Sequence, residues 1–105
     1  MPETCSLEPD PQEQYFHGAV TGAIGDTAGG YAALTLAPPD REVPTVEYKI
    51  NFTAPARGRG LIARGQVVSA GRRLFVCKAE VYAVRADGER PCATLLQTVS
   101  LTPST

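Results

Sequence analysis

The sequence predicts an α+β fold in which one long helix precedes an antiparallel sheet. Two patterns predict it. Residues 18–36 form an apolar, proline-free run with the length of a buried helix, and past residue 45 the apolar positions recur every second residue between short turn signals. A strongly curved sheet wrapped around the helix would bury nearly all of the helix faces. The chain has 105 residues, which fits one domain, and its 43% hydrophobic content is ordinary for a domain that buries a core. That size is near the low end of comfortable stability, so association between copies is expected.

The elements follow in chain order. Residues 1–14, MPETCSLEPDPQEQ, are acidic and proline-rich. They are expected to form an extended arm with a short strand near Cys5 to Leu7, and residues 15–105 to form the single folded domain. The helix over 18–36 contains glycines at 22, 25, 29 and 30 and one carboxylate, Asp26. A helix-interior glycine costs about 1 kcal/mol relative to alanine, and a carboxylate in apolar surroundings is costly unless paired or hydrogen-bonded. Close approach of the sheet would explain Gly22, Gly29 and Gly30 as packing residues. It does not explain Asp26.

APPDREVP then ends the helix, because consecutive prolines remove donors and fix φ. In TVEYKINF, Val46, Tyr48, Ile50 and Phe52 share one face, and Thr45, Glu47, Lys49 and Asn51 share the other, as in a half-buried strand. TAPARGRG reads as a turn, LIARGQVV as a second strand and SAGRR as a break. LFVCKAEVYAV follows, with Phe75, Cys77, Ala79 and Val81 inward and Lys78 and Glu80 outward. RADGER carries an Asp-Gly hairpin signal. CATLLQTVSL is the last strand, and TPST is expected to fray. The order reads as a helix followed by a four-stranded meander.

Composition excludes several functions. The net charge of −1 offers no basic field to nucleic acid or to a membrane surface. No uninterrupted apolar run has the length of a membrane span. The acidic start lacks the basic and apolar regions of a signal peptide. Cys5, Cys77 and Cys92 are an odd set without metal-ligand spacing, and His17 is the only histidine, so no metal site is expected. A reducing cytoplasm fits these thiols. The glycines form no dinucleotide-binding fingerprint, since no strand leads into a Gly-x-Gly-x-x-Gly turn.

Three segments carry a family resemblance. YFHGAVTGAIGDTAGGYAAL, TVEYKINFTAPARG and ARGQVVSAGRRLFVCKAEVYA resemble, in order and in register, the hot-dog-fold acyl-CoA thioesterases of the phenylacetate-degradation type. The resemblance covers residues 12–100. The family opens its central helix with a His-Gly-Gly turn and places an Asp nine residues after the His. His17, Gly18 and Asp26 match that spacing, and Ala19 replaces the second glycine. Family members usually carry a further N-terminal segment with a helix, which is expected to be absent here because 16 residues precede His17. Many also place an Asn or Gln about six residues before the His. That position is Pro11, and Gln12 stands beside it.

The resemblance implies hydrolysis of an acyl-CoA thioester. The backbone N–H groups of Gly18 and Ala19, at the positive end of the helix, would polarise the carbonyl. Asp26 would act as general base for water or as nucleophile, on substrate held at a neighbouring copy's helix start. Thr45 would hold the water or the carboxylate, and Gln12 would assist at the carbonyl. His17 would fix the turn by hydrogen bonds. Arg57, Arg59, Arg72 and Arg73, all in turns, would meet the phosphates of coenzyme A. No cofactor is implied beyond the coenzyme A of the substrate. A homodimer, or a tetramer of two dimers, is implied as well.

Plainer readings stand beside these. Asp26 also reads as a structural acid bonded to backbone, Thr45 as an ordinary β-branched strand residue, and the arginines as solvated turn residues. A hot-dog hydratase would need a His five residues after the Asp, where this chain has Tyr31. The remaining alternative is an acyl-CoA-binding module without catalysis.

Overall fold

Five antiparallel strands form one sheet with a single helix lying on one of its faces. The computed structural model describes residues 3–6 and 14–104. In chain order the elements are β1 (Glu3–Ser6), β2 (Gln14–Tyr15), α1 (Gly18–Leu36), β3 (Arg41–Glu42), β4 (Thr45–Phe52), β5 (Arg57–Gly58), β6 (Gly60–Ala70), β7 (Leu74–Arg85), β8 (Gly88–Ser100) and β9 (Thr102–Pro103). The large sheet has the spatial order β1–β6–β7–β8–β4. Among the described residues no helix is long and apolar enough to cross a membrane.

The helix has the expected span, 18–36, and so has the strand over 45–52. The inward set of β7 is also as expected: Phe75, Cys77, Ala79 and Val81 are all buried. Three features differ from the sequence-based expectation. First, the strands do not form one simple meander. β6, β7 and β8 do, but β4 pairs with β8 at the sheet edge, so the segment after β4 crosses to the far side of the sheet before β6 begins. Second, the TAPARGRG segment is not only a turn, because its Arg57–Gly58 pairs with Gln14–Tyr15. Third, TPST does not fray as a whole: Thr102–Pro103 pairs with Arg41–Glu42. The arm's strand is Glu3–Ser6, paired with β6, and the arm's residues 7–13, Gln12 among them, lie outside the described residues.

β8 also begins earlier than CATLLQTVSL suggests. It runs from Gly88 through Pro91, where the register slips so that Val81 faces Ala93 and Tyr82 faces Pro91. A proline cannot donate to a ladder, and a bulge is one of the few places where a sheet accepts it. The slip leaves Cys92 and Ala93 buried side by side.

The core is assembled from small helix residues pressed against long strands. Ala28, Ala32 and Ala33 are fully buried on α1; Ala28 packs in one cluster with Leu61, Ala63 and Val81, and Ala33 in another with Phe75, Cys77 and Val99. At Gly65 on β6 a side chain would run into the Ala28 carbonyl, so strand and helix backbones are in direct contact there. The sheet covers only one face of the helix. Val20, Tyr31 and Leu34 stay well exposed on the other, against the expectation that nearly every face is buried. β4 is equally uncovered: Val46 is 60% and Phe52 55% exposed.

Candidate active site

The helix starts at His17, whose extended backbone (φ −61°, ψ 146°) makes it the N-cap. Its ring Nδ1 accepts the Ala19 N–H at 3.1 Å. Its carbonyl accepts from Val20 and Thr21. His17 thereby caps the turn by the means a side chain uses to satisfy orphan donors at a helix start. The consequence for the two proposed donors is unequal. Ala19 N–H is occupied by the imidazole, whereas Gly18 N–H meets no acceptor among the described residues. The turn bearing Arg57 and Arg59 is tied to this end, because Phe16 N–H bonds the Ala56 carbonyl at 2.8 Å.

β4 lies along one stripe of the helix. The Phe52 ring covers Gly18, and Tyr48 covers Gly22, where a Cβ would stand 3.1 Å and 2.9 Å from the respective aromatic atoms. One turn further on, the stripe reaches Asp26. Its Oδ1 accepts the Thr45 hydroxyl at 2.7 Å and also accepts from Gln97 Nε2. Gln97 Nε2 makes further contacts with the Asp26 carbonyl oxygen at 3.1 Å and with Thr45 Oγ1 at 3.2 Å. Asp26 Oδ2 accepts no hydrogen bond among the described residues. No backbone N–H reaches the carboxylate there, so the structural reading of an acid held by backbone finds no support in these contacts.

Thr45 reaches Asp26 only because the strand departs from strict alternation. Alternation places Thr45 on the face with Glu47 and Lys49, away from the helix. A bulge between Thr45 and Glu47 inserts Val46, so that Thr45 pairs with the buried Val99 and shares its inward face. Re-aiming one side chain is a recurrent use of bulges beside functional sites. Gln97 is a site residue that the sequence reading missed. Its signal was present: it occupies the inward register of β8 between Leu95 and Val99, where an amide is out of place.

The glycines divide by neighbour. Gly22 and Gly29 are packing residues, the latter because a side chain would overlap the Gln97 amide. Gly25 joins them, since a Cβ there would stand 3.3 Å from Leu95 and Val81. Gly30 does not, since nothing lies within 4 Å of the Cβ it lacks.

The four arginines separate into two pairs. Arg57 stacks on Tyr15, 4.6 Å from the ring centroid, near the helix start. Arg59 shares that turn. Arg72 and Arg73 line an open depression at the other end of β6. Gly60 to Ala70 spans about 33 Å at the usual rise of a strand, so the pairs cannot meet one phosphate group within a single copy. Among the described residues no three His, Cys, Asp or Glu side chains gather as a metal site.

A sequence model described as the thioesterase superfamily matches residues 13–89. The chain belongs to that superfamily. The match spans the helix with Asp26, Thr45 and three of the five large strands, and Gln97 lies beyond it. Among relatives, a candidate esterase of Halobacterium salinarum is 35% identical over 83 residues, covering 75% of this chain and 54% of its own. A second candidate esterase, from Saccharolobus solfataricus, is 36% identical over 67 residues, covering 64% of this chain and 44% of its own. The chain spans about half the length of the curated relatives it matches. A thioesterase-family protein of Silicibacter pomeroyi superposes with a TM-score of 0.84 at 33% identity, over 98% of this chain and 85% of that one. A Bacillus halodurans protein crystallised with CoA shares the fold, with a TM-score of 0.78 at 24% identity, over 93% of this chain and 68% of that one. The architecture is thus the hot-dog fold of this superfamily, one helix on a curved antiparallel sheet.

Proposed function

We propose that the chain is an acyl-CoA thioesterase of the phenylacetate-degradation type, with Asp26 as general base or nucleophile. The observation that carries this reading is the Asp26 carboxylate, mid-helix, with Thr45 and Gln97 both on Oδ1 and Oδ2 left open. In the base route, Oδ2 takes a proton from water as the water oxygen attacks the thioester carbon. The carbonyl oxygen, gaining charge, is met by Gly18 N–H at a helix start, with the helix dipole adding to the field. The C–S bond then breaks, and the coenzyme A thiolate leaves and is protonated. In the nucleophile route Oδ2 attacks the same carbon, the C–S bond breaks and the coenzyme A thiolate leaves and is protonated, and water then cleaves the mixed anhydride to the free acid and the Asp26 carboxylate. Neither route draws on a metal or an organic cofactor.

The two halves of this site belong to different copies. Gly18 and Asp26 lie eight residues apart on one helix, about 12 Å at 1.5 Å per residue. A thioester carbon cannot be within bonding range of both. We therefore propose a homodimer, or two such dimers, in which one copy's Gly18 faces its partner's Asp26. The uncovered Tyr31, Leu34 and Val46 favour such an assembly. Arg57 and Arg59 stand at the helix start and are the proposed phosphate contacts on that copy. Arg72 and Arg73 would reach the same coenzyme only from another copy. Gln12 is proposed as an additional carbonyl donor on the family pattern alone. The cytoplasm is the proposed location, on the buried free thiols of Cys77 and Cys92.

Asp26→Asn tests the reading. It keeps the size of the side chain and removes the charge. With phenylacetyl-CoA, benzoyl-CoA and hexanoyl-CoA as probes, kcat should fall on the order of 10²–10⁴-fold, with little change in KM and no drop in Tm. Near-normal kcat would overturn the assignment. Tight acyl-CoA binding with no turnover by the unaltered protein would favour the binding-module alternative.

A further inference from the structure

We propose that Gln97 is a positioning residue for the Asp26 carboxylate, and that residue 29 is glycine so that the Gln97 amide can occupy that place. The proposal rests on the reading of Asp26 as the reacting group. It adds what sets the direction of its free oxygen.

Gln97 is fully buried, in a slot between Leu95 and Val99 that an aliphatic side chain would fill. Its Oε1 is buried without a hydrogen-bond partner. A buried polar atom left unsatisfied lowers stability, so folding alone gives no reason for an amide here. The other end of the amide is fully committed. The two N–H groups of Nε2 serve three acceptors: Asp26 Oδ1, the Asp26 carbonyl and Thr45 Oγ1. Reversing the amide would aim its oxygen at a carboxylate oxygen and a carbonyl oxygen, so the charge of Asp26 itself dictates the orientation. Oε1 must then point away from Asp26, toward the next turn of α1. There it meets position 29, where any Cβ would overlap it.

The result is a clamp of two donors on one oxygen. Thr45 comes from the sheet edge and Gln97 from the core, and both close on Oδ1. Rotation of the carboxylate is blocked, and Oδ2 is the oxygen left to take a proton or to attack. An amide has no proton to transfer in the working pH range, so Gln97 acts through Asp26. A near-isosteric apolar side chain at 97 would pack as well and would leave Thr45 to hold the carboxylate alone.

The experiment compares Gln97→Met, Gly29→Ala, Asp26→Asn and the Gln97→Met/Gly29→Ala double variant, with phenylacetyl-CoA, benzoyl-CoA and hexanoyl-CoA. Gln97→Met should lower kcat about 10–100-fold, the scale of a misplaced reacting group. KM should stay within about threefold, and Tm should equal or exceed that of the unaltered protein, because the unsatisfied oxygen is gone. A residue that only packs would instead lower Tm and leave kcat unchanged. Gly29→Ala should give a similar kcat loss by pushing an intact amide off Asp26, and adding it to Gln97→Met should cost little more. If Gln97→Met does not fold, Gly29→Ala carries the test by the same kcat and KM criteria. Unchanged kcat in the folded variants, beside an inactive Asp26→Asn, overturns the positioning role alone. Near-normal kcat in Asp26→Asn removes the reading on which it rests.

Discussion

The two sides of α1 are built from different kinds of residue. The side toward the sheet is mostly glycine and alanine, with Gly22, Gly25, Ala28, Gly29, Ala32 and Ala33 buried beside the larger Thr21 and Ile24. The other side carries Val20, Tyr31 and Leu34, and Tyr31 is 53% exposed. Ordinary amphipathic helices show larger apolar groups toward the core and polar ones outward. Here the inner side is small because the sheet backbone comes down onto the helix backbone. The outer side stays apolar because, on the proposed reading, a second copy covers it. Asp26 lies between the two, half-buried, with one oxygen gripped from the sheet and the other accepting no hydrogen bond among the described residues. A close inner contact fixes the position of the carboxylate, and an open outer side gives another molecule access to it.

The contrast can be broken from the inside. Gly65→Val would drive a side chain into the Ala28 carbonyl. We expect a stability loss of about 3 kcal/mol or failure to fold, at the upper end of overpacking effects. Urea unfolding checks this, and a midpoint near that of the unaltered protein would show that helix and sheet can separate without penalty.

The outer side is tested by Tyr31→Asp combined with Leu34→Asp. Far-UV circular dichroism should be unchanged, since both residues are about half exposed within a copy. Sedimentation should shift to a monomer, and kcat should fall about 10²-fold or more, because a lost oxyanion donor alone has that effect. A monomer with full turnover would refute the shared site.

A third prediction sharpens the inner side. Burial pushes the Cys77 and Cys92 thiols above their ordinary range, with the charge of Arg85 pulling Cys92 partly back. The unfolded chain therefore ionises these thiols first. Their contribution to stability is complete below the ordinary thiol value of about 8.5 and is lost as pH rises past it toward the folded-state values. The urea midpoint should fall between pH 7 and 10 by more than it does in a Cys77→Val/Cys92→Val variant. Equal slopes would mean that the thiols are not held protonated. The same variant should keep its turnover, since neither thiol lies at the Asp26 site.

The smallest effect is expected at Gly30, where nothing lies near the missing Cβ. Gly30→Ala should stabilise the chain by about 0.5–1 kcal/mol, through helix propensity and a less flexible unfolded state. A loss of stability that appears only in the assembled form would place the partner copy against this part of the helix.

Much of the local structure was legible from residue pattern. The helix over 18–36 follows from an unbroken apolar run ended by Pro38 and Pro39, and the inward set of β7 follows from period two. His17 entered the sequence reading through the family's turn, and its ring accepting the Ala19 N–H is a local arrangement that the structure adds. Three things were not legible. The pairing of β4 with β8 is a choice among strands that look alike in sequence. The inward turn of Thr45 depends on a bulge that no residue type announces. The uncovered outer face depends on how far the sheet curves.

The sequence by itself determined the helix span, the strand over 45–52, the inward set of β7 and the place of Asp26 on the helix, because each follows from short-range residue pattern. Only the tertiary structure decided what Asp26 meets. Thr45 and Gln97 lie 19 and 71 residues further along the chain, and both reach the same carboxylate oxygen. That meeting requires β4 at the sheet edge, a bulge after Thr45 and a glycine at 29. Hydrogen bonds between distant residues are set by how backbones pack, and packing is a property of the whole sheet against the helix rather than of any short stretch of sequence.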